Sequence, residues 1–257
     1  FSWQKDNHGK HFIATSCQGI GASLWWPCKD HGYDEPDEGM KINVTVPEDL
    51  VAVSNGRLAE TTHDSQAKSK TYQWVVTNPI NNYGVNVNIG NYVNFSEKFD
   101  GEAGSLDLDY WVLDHQRKTA ETHFKEAPRT IEAFEHWFGP YPFYEDSYKL
   151  VVVPYLGMEH QSSVTYGNGY QNGYRGRDLS MTGEGLKFDF IIIHEAGHEW
   201  FANNITYKDI ADMWVHEGFT SYYKSRILDH YYGEKNSVVN YDFFHMNVNP
   251  HIHKTSA

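Results

Sequence analysis

The chain has 257 residues, of which 40% are hydrophobic and 16% aromatic. This length suits one large domain or two ordinary ones, and the composition is typical of a folded chain. The formal net charge of −13 argues against a nucleic-acid partner, because phosphate binding needs clustered Lys and Arg. No run approaches the roughly 20 apolar residues of a membrane span. Two cysteines, Cys17 and Cys28, are too few for a disulfide framework, and the sequence leaves their pairing and the cellular compartment open.

The first hundred or so residues have the pattern of β-structure. Ile42, Val44 and Val46 alternate with polar residues, as the half-buried face of a strand requires. Further strands are predicted over residues 50–53, 71–77 and 85–93, with turn residues between them. We therefore predict a β-sandwich-like domain over residues 1–112.

After residue 113 the period changes to that of helices. Apolar residues recur at steps of three and four between Phe124 and Phe138, with Pro128 allowing a kink or a later start and Gly139 ending the helix. A buried strand is predicted over residues 150–153. Two more helices are predicted over about 185–203 and 209–232, the second ended by Gly233. The fold class is therefore α+β, and residues 113–257 form the predicted second domain.

The strongest local signal is the segment from His194 to His198, His-Glu-Ala-Gly-His. Residues four apart lie on one face of a helix, so both imidazoles can reach one metal ion. Glu195 points about 100° away around the helix axis. It can therefore stay off the metal and act on a water molecule.

A catalytic zinc needs three protein ligands and an open position, and Glu217 is the candidate third ligand. Eighteen residues separate it from His198, which is enough for one helix to end and a second to return a carboxylate. A lone HExxH segment occurs by chance in helices that bind nothing, but Glu217 completes the His-His-Glu set of thermolysin-like sites. We expect one zinc ion per chain. A closed structural site is disfavoured, since no fourth ligand stands at a suitable spacing.

Other histidines are interpreted as surface or structural groups rather than ligands. These are His160, His216, His230 and the pair His251 and His253.

The expected chemistry is metal-assisted hydrolysis of an amide. Zinc polarises a carbonyl and lowers the pKa of water toward about 7, while Glu195 takes a proton and delivers it to the leaving amine. An enzyme acting at the amino end of a peptide also needs negative charge for the free ammonium. Glu159 follows the predicted strand and suits that task, although a glutamate in such a place is more often a solvated loop residue.

These motifs together resemble the aminopeptidase N family of zinc metallopeptidases. That family combines HExxH, 18 residues and Glu with an upstream Gly-x-Met-Glu-Asn segment on an edge strand. Here Met158 and Glu159 match its core, and Trp200, Asn203 and Thr206 fall where the family has similar residues. Segments around Cys17 and Cys28 resemble the family's amino-terminal β-domain.

The resemblance implies the roles of several residues. His194, His198 and Glu217 would bind zinc, and Glu195 would be the general base. Glu159 and Gln18 would hold the substrate's ammonium, with Gly157 and Met158 on the strand that meets the peptide. Three positions depart from the family pattern: Leu156 replaces Gly, His160 replaces Asn, and His216 replaces Asn before the third ligand.

The resemblance also implies that this chain is an internal fragment of a longer enzyme. The family's oxyanion tyrosine and helical carboxy-terminal domain would lie beyond residue 257, so the fragment by itself is expected to have little turnover. We predict a partial β-sandwich-like domain over residues 1–112 followed by the first part of a thermolysin-like catalytic domain over residues 113–257. The predicted function is that of a zinc aminopeptidase acting on peptides with a free amino terminus. A leukotriene-hydrolase-like epoxide hydrolase and a non-catalytic relict scaffold are the alternatives.

Overall fold

A computed structural model describes residues 1–32 and 34–232, without the side chains of 223–229 and 232. Twelve strands and four α-helices lie in these ranges. The strands are β1 (Ser2–Lys5), β2 (His11–Ala14), β3 (Met40–Pro47), β4 (Val51–Ser54), β5 (Arg57–Asp64), β6 (Ser69–Val76), β7 (Val87–Gly90), β8 (Tyr92–Gly101), β9 (Gly104–Leu113), β10 (Tyr148–Val152), β11 (Gly157–Met158) and β12 (Val164–Tyr166). The helices are α1 (Arg117–His123), α2 (Glu126–Phe138), α3 (Phe190–Gly197) and α4 (Trp214–Tyr232).

Two antiparallel sheets make up the amino-terminal part, with strand orders β1-β2-β7-β4 and β3-β6-β5. The alternation predicted for β3 is confirmed, because Ile42 and Val44 are half-buried while Asn43 and Thr45 are exposed. Ile42 pairs with Trp74 of β6, one of the largest fully buried side chains. The predicted β-rich start and α+β class are thus confirmed.

A third sheet has the order β11-β12-β10-β9-β8. The central strand β10 runs parallel to both β9 and β12, and it is buried throughout, as parallel strands usually are. The short β11 lies at the edge, antiparallel to β12. Hydrogen bonding within this sheet joins strands from both sides of the predicted boundary at residues 112 and 113, and the boundary itself stays a prediction.

The helix before the third sheet's central strand begins later than its apolar pattern alone implies. Helix α2 starts at Glu126, so Pro128 falls in the first turn, where no intrahelical N–H donor is needed. The helix ends at Gly139, whose φ of 83° is costly for residues with a side chain.

The helix that carries the histidines is shorter than the predicted span of 185–203. It begins at Phe190 because the Asp189 side chain accepts hydrogen bonds from the N–H groups of Ile191 and Ile192, as an N-cap does. It ends at Gly197, and the chain leaves helical geometry at Phe201 and at Ala202, where φ is 154°. Helix α4 starts at Trp214, five residues after the predicted start, and the predicted end at Gly233 lies outside the described residues.

Cys17 and Cys28 are free thiols, each half-buried. Among the helices of the described ranges, none is both long and apolar enough to cross a membrane.

A buried lysine joins the amino-terminal sheets to the third sheet. Lys149 of β10 is fully buried, and its ammonium donates to the Gly56 carbonyl and lies 5.5 Å from the Trp74 ring centroid. Burial lowers the pKa of Lys149 to about 8, since the charged form loses its hydration. The loss of hydration therefore opposes burial of the charged ammonium, and the contacts with Gly56 and Trp74 offset only part of that cost.

The pH dependence of stability tests this description of Lys149. The folded-state pKa of about 8 lies below the roughly 10.4 of an unfolded lysine. The unfolded state therefore binds more protons between these values, and the free energy of unfolding should gain a rising contribution from pH 8 to pH 10. Denaturant unfolding of the protein and of Lys149→Met across this range measures it. The variant should lose the rise, whereas Lys41→Met, on an exposed position of β3, should keep it; equal slopes in all three would contradict the assignment.

Candidate metal centre

The start of α3 is fixed by a buried carboxylate. Besides capping the helix, Asp189 Oδ2 accepts from the Tyr166 hydroxyl at 2.7 Å and lies 2.7 Å from His123 Nε2, and Oδ1 accepts from Asn168 Nδ2 at 2.9 Å. Sequence reasoning missed this residue. The signal was an Asp directly before an apolar run, which is an N-cap pattern.

The three predicted ligands converge in the structure. Glu217 Oε2 lies 3.4 Å from His194 Nε2 and 3.7 Å from His198 Nε2. Ligand atoms bound tetrahedrally to one zinc at about 2.0–2.2 Å stand roughly 3.3–3.6 Å apart. The imidazole of His194 in α3, that of His198 directly after this helix, and one carboxylate from the first turn of α4 thus lie at separations that suit a shared ion.

The hydrogen bonds of His198 determine which of its nitrogens faces Glu217. Its Nδ1 lies 3.0 Å from the Phe201 carbonyl oxygen, which can only accept, so Nδ1 carries the proton. The lone pair then belongs to Nε2, which is buried and makes no hydrogen bond among the described residues. A metal ligand held by its other ring nitrogen has this arrangement. The donor set therefore fits a zinc ion.

Gly197 lets α3 and α4 approach each other closely enough for Glu217 to reach the two histidines. A Cβ at Gly197 would lie 2.7 Å from the Phe134 ring of α2 and 3.0 Å from the Thr220 methyl of α4. Thr220 Oγ1 in turn lies 3.1 Å from His198 Nδ1. Glu217 is one turn before Thr220, so the packing at Gly197 determines how near its carboxylate comes to the histidines.

Glu195 faces the edge strand of the third sheet. A Cβ built on Gly157 would lie 2.8 Å from Glu195 Oε1 and 2.7 Å from Ile191 Cγ2. Only glycine allows β11 to come this close. His194, Glu195 and His198 also form a group whose ligand atoms lie within 4.8 Å of one another, so Glu195 is a competing third ligand by distance. We favour Glu217, because its contacts with the two Nε2 atoms come from a separate helix and leave Glu195 beside the strand.

Glu159 is held in a buried loop just after β11. The residue is 3% exposed, and its Oε1 lies 3.4 Å from the Tyr83 hydroxyl. Its backbone carbonyl accepts from Asn203 Nδ2 at 2.8 Å, and the Ser162 N–H donates to Glu199 Oε1 at 2.8 Å. The segment after His198 therefore holds the loop from two points. Met158 is buried and pairs with Thr165 of β12.

Gln18 reaches the centre from the amino-terminal part. Its Nε2 donates to Glu217 Oε1 at 3.1 Å, while Glu217 Oε2 is the oxygen that faces the histidines. The turn that carries Gln18 packs on Tyr207, since a Cβ at Gly19 would lie 2.7 Å from the Tyr207 hydroxyl. Gln18 thus lies at the centre, in contact with a predicted zinc ligand.

The histidines interpreted as non-ligands are of two kinds. His160 and His216 are buried, with ring nitrogens near Thr165 and near Tyr83 and Tyr207 respectively, whereas His230 is exposed. His251 and His253 lie outside the described residues. Tyr83 was not singled out from the sequence, and no local pattern marks it.

Burial governs the electrostatics around the centre. It raises the pKa of Glu159 and, to about 8, that of Glu199, because a charged carboxylate loses its hydration. For the same reason the pKa values of His160 and His216 fall to about 3. Both histidines are therefore neutral at ordinary pH.

Two known domain families match the chain. Residues 1–83 match the Peptidase M1 N-terminal domain, and residues 122–256 match the Peptidase family M1 domain. Structural similarity agrees: the M1 zinc metallopeptidase from Deinococcus radiodurans superposes with a TM-score of 0.73 at 21% identity, over 92% of this chain and 49% of that one.

Several curated relatives are aminopeptidases. Probable aminopeptidase 2 of Sulfurisphaera tokodaii is 22% identical over 87% of this chain and 28% of its own length. Glutamyl aminopeptidase of Rattus norvegicus is 24% identical over 89% of this chain and 24% of its own length. Leucine aminopeptidase 2 of Vanderwaltozyma polyspora is 25% identical over 90% of this chain and 32% of its own length. The chain thus spans about a quarter to a third of these relatives.

The resemblance seen in the motifs is confirmed by these matches, which follow the order of the two domains along the chain. The M1 domain match alone spans more than half of the residues. The chain belongs to peptidase family M1.

Proposed function

We propose that this chain carries the zinc site and the amine-binding site of an aminopeptidase that hydrolyses the amino-terminal bond of peptides. The observation that carries the proposal is the convergence of Glu217 on the Nε2 atoms of His194 and His198, at 3.4 and 3.7 Å. The relatives named as aminopeptidases support the same reaction class.

His194, His198 and Glu217 would hold the zinc ion. When bound, zinc supplies a Lewis acid that polarises the scissile carbonyl and makes water more acidic. The protein's part is to keep the ligands oriented. The Phe201 carbonyl sets the tautomer of His198, and the Gln18 amide occupies one oxygen of Glu217, which leaves the other for the ion.

Glu195 would act as the general base. It takes a proton from the attacking water and gives it to the nitrogen of the leaving amine as the C–N bond breaks. Its carboxylate lies against Gly157, so a peptide that extends the sheet at β11 would present its carbonyl beside this group. Addition of a peptide strand to a sheet edge is a recurrent recognition mode.

Glu159 would bind the substrate's ammonium, with Gln18 as a second polar group. The buried carboxylate lies directly after the edge strand, where the first residue of a bound peptide would end. A charge-assisted bond in a buried setting is stronger than one between neutral groups. Gly157 and Met158 would form the strand that pairs with the peptide.

Substitution of the base tests the reaction. Glu195→Gln should keep about one zinc per chain, measured by metal analysis, because the three ligands are untouched. Hydrolysis of an aminoacyl-arylamide, measured on the complete protein to which the chain is expected to belong, should fall at least about 10²-fold, because no group then accepts the proton. Wild-type protein without zinc after supplementation, or an active Glu195→Gln variant, would refute the proposal.

Substitution of Gly197 tests the helix packing that brings Glu217 to the histidines. Gly197→Ala places a methyl group against Phe134 and Thr220, which should push α4 away and weaken zinc binding at least about tenfold in competition with a chelator. Gly218→Ala is the matched control on α4, since its Cβ would meet only Trp214 at 3.8 Å. Equal zinc affinity in both variants would show that the packing does not position the ligand.

A pair of inhibitors tests the ammonium site. A hydroxamate with an α-amino group and its des-amino analogue share the metal-binding group and differ in the ammonium alone. Glu159→Gln should weaken the amino compound by roughly 10- to 100-fold, the range of a lost charged hydrogen bond, and leave the des-amino compound nearly unchanged. Inhibition constants measure this. Equal weakening of both compounds would remove the ammonium role.

A further inference from the structure

The buried carboxylate of Glu159 stands at the end of a chain of hydrogen bonds that begins at a backbone amide. The members are the Tyr207 N–H, the His216 ring, the Tyr83 hydroxyl and Glu159. Tyr83 and His216 are 1% exposed each. Neither is a predicted ligand, base or substrate group, and His216 stands where the resembled family has Asn.

The direction of the first bond follows from the chemistry of the groups. The Tyr207 N–H can only donate, and it lies 3.0 Å from His216 Nε2, so Nε2 carries the lone pair. In the neutral ring the proton is then on Nδ1. The Tyr207 ring stacks on the imidazole at 4.7 Å, which fixes the plane in which this Nδ1–H points.

The direction of the remaining bonds follows in turn. His216 Nδ1 lies 3.4 Å from the Tyr83 hydroxyl oxygen, which must accept because Nδ1 donates. The hydroxyl's own hydrogen is then directed to Glu159 Oε1, also at 3.4 Å. These two bonds are long, and bonds of this kind often tighten when a ligand binds.

We propose that Tyr83, oriented by His216, is a positioning residue for the Glu159 carboxylate. Its hydroxyl occupies Oε1 and turns Oε2 toward the space where the substrate's ammonium would bind. This inference rests on the proposed function, since it assigns Glu159 the ammonium. It adds a residue from the amino-terminal part of the chain, which no motif of the metal centre contains.

A separate contact holds the backbone of Glu159 rather than its carboxylate. Asn203 Nδ2 holds its backbone carbonyl at 2.8 Å, so the main chain stays in place when the Tyr83 hydroxyl is removed. Loss of the hydroxyl should therefore change the orientation of the carboxylate and leave the loop itself intact. A structural role and a positioning role thus predict different results for the two hydroxamates.

The experiment is the ratio of inhibition constants for the α-amino and des-amino hydroxamates, measured on wild-type protein and Tyr83→Phe. The variant should weaken the amino compound about three- to tenfold, the worth of one hydrogen bond, and leave the des-amino compound and the zinc content unchanged. Tyr72→Phe is the matched control. Its hydroxyl is also buried and also donates over 3.4 Å, but to the Leu50 carbonyl away from the centre, so the ratio should stay at the wild-type value.

A second variant keeps the test decisive if Tyr83→Phe is poorly folded. His216→Ala removes the Nδ1–H that orients the hydroxyl, and it should lower the amino compound's advantage by a smaller factor. Combined with Tyr83→Phe it should add nothing further, since both act through one bond to Glu159. Zinc analysis of His216→Ala excludes an effect through the neighbouring Glu217.

The outcomes separate this inference from the proposed function. A wild-type protein that binds both hydroxamates equally would overturn the ammonium site itself. A wild-type preference for the amino compound that persists in both Tyr83→Phe and His216→Ala would overturn the positioning role alone. Equal weakening of both compounds in Tyr83→Phe would also overturn it, because that result indicates a general structural effect.

Discussion

The close approach of α3 and α4 at Gly197 is the contact on which the rest of the centre depends. A hydrogen in place of a side chain lets Phe134 and Thr220 pack against the helix backbone. Thr220 then meets His198 Nδ1, and Glu217, one turn earlier, reaches the Nε2 atoms. Protein interiors pack at the density of crystals. The addition of even one methyl group at Gly197 would therefore change the geometry of the ligands.

The amino-terminal sheets contribute directly to the site. Asn55 Nδ2 donates to the Gln161 carbonyl at 2.7 Å, and the Gly56 N–H donates to Ser162 Oγ at 2.9 Å. The same loop is held from the other side by Glu199 and Asn203. A buried loop with polar backbone groups is stable only when they are paired, so the loop that carries Glu159 owes its shape to both parts of the chain.

Much of the site was predictable because its motifs are local. The spacing of His194 and His198 follows from the helical repeat, and the β-strand alternation of β3 from the period of two. The extent of α3 was not predicted correctly, because the Asp189 cap and the break near Ala202 outweigh the apolar pattern. Tyr83 and the role of Gly197 had no sequence signal, since each acts through residues far away in the chain.

The amino-acid sequence by itself determined the kinds of group present: two imidazoles one helical turn apart, a carboxylate between them, and further carboxylates at Glu159 and Glu217. Those follow from residue type and short-range geometry. Only the tertiary structure decided which atoms meet, such as Glu217 Oε2 with the two Nε2 atoms and the Tyr83 hydroxyl with Glu159. Such contacts depend on the packing of separate elements, and local periodicity carries no information about distances between them.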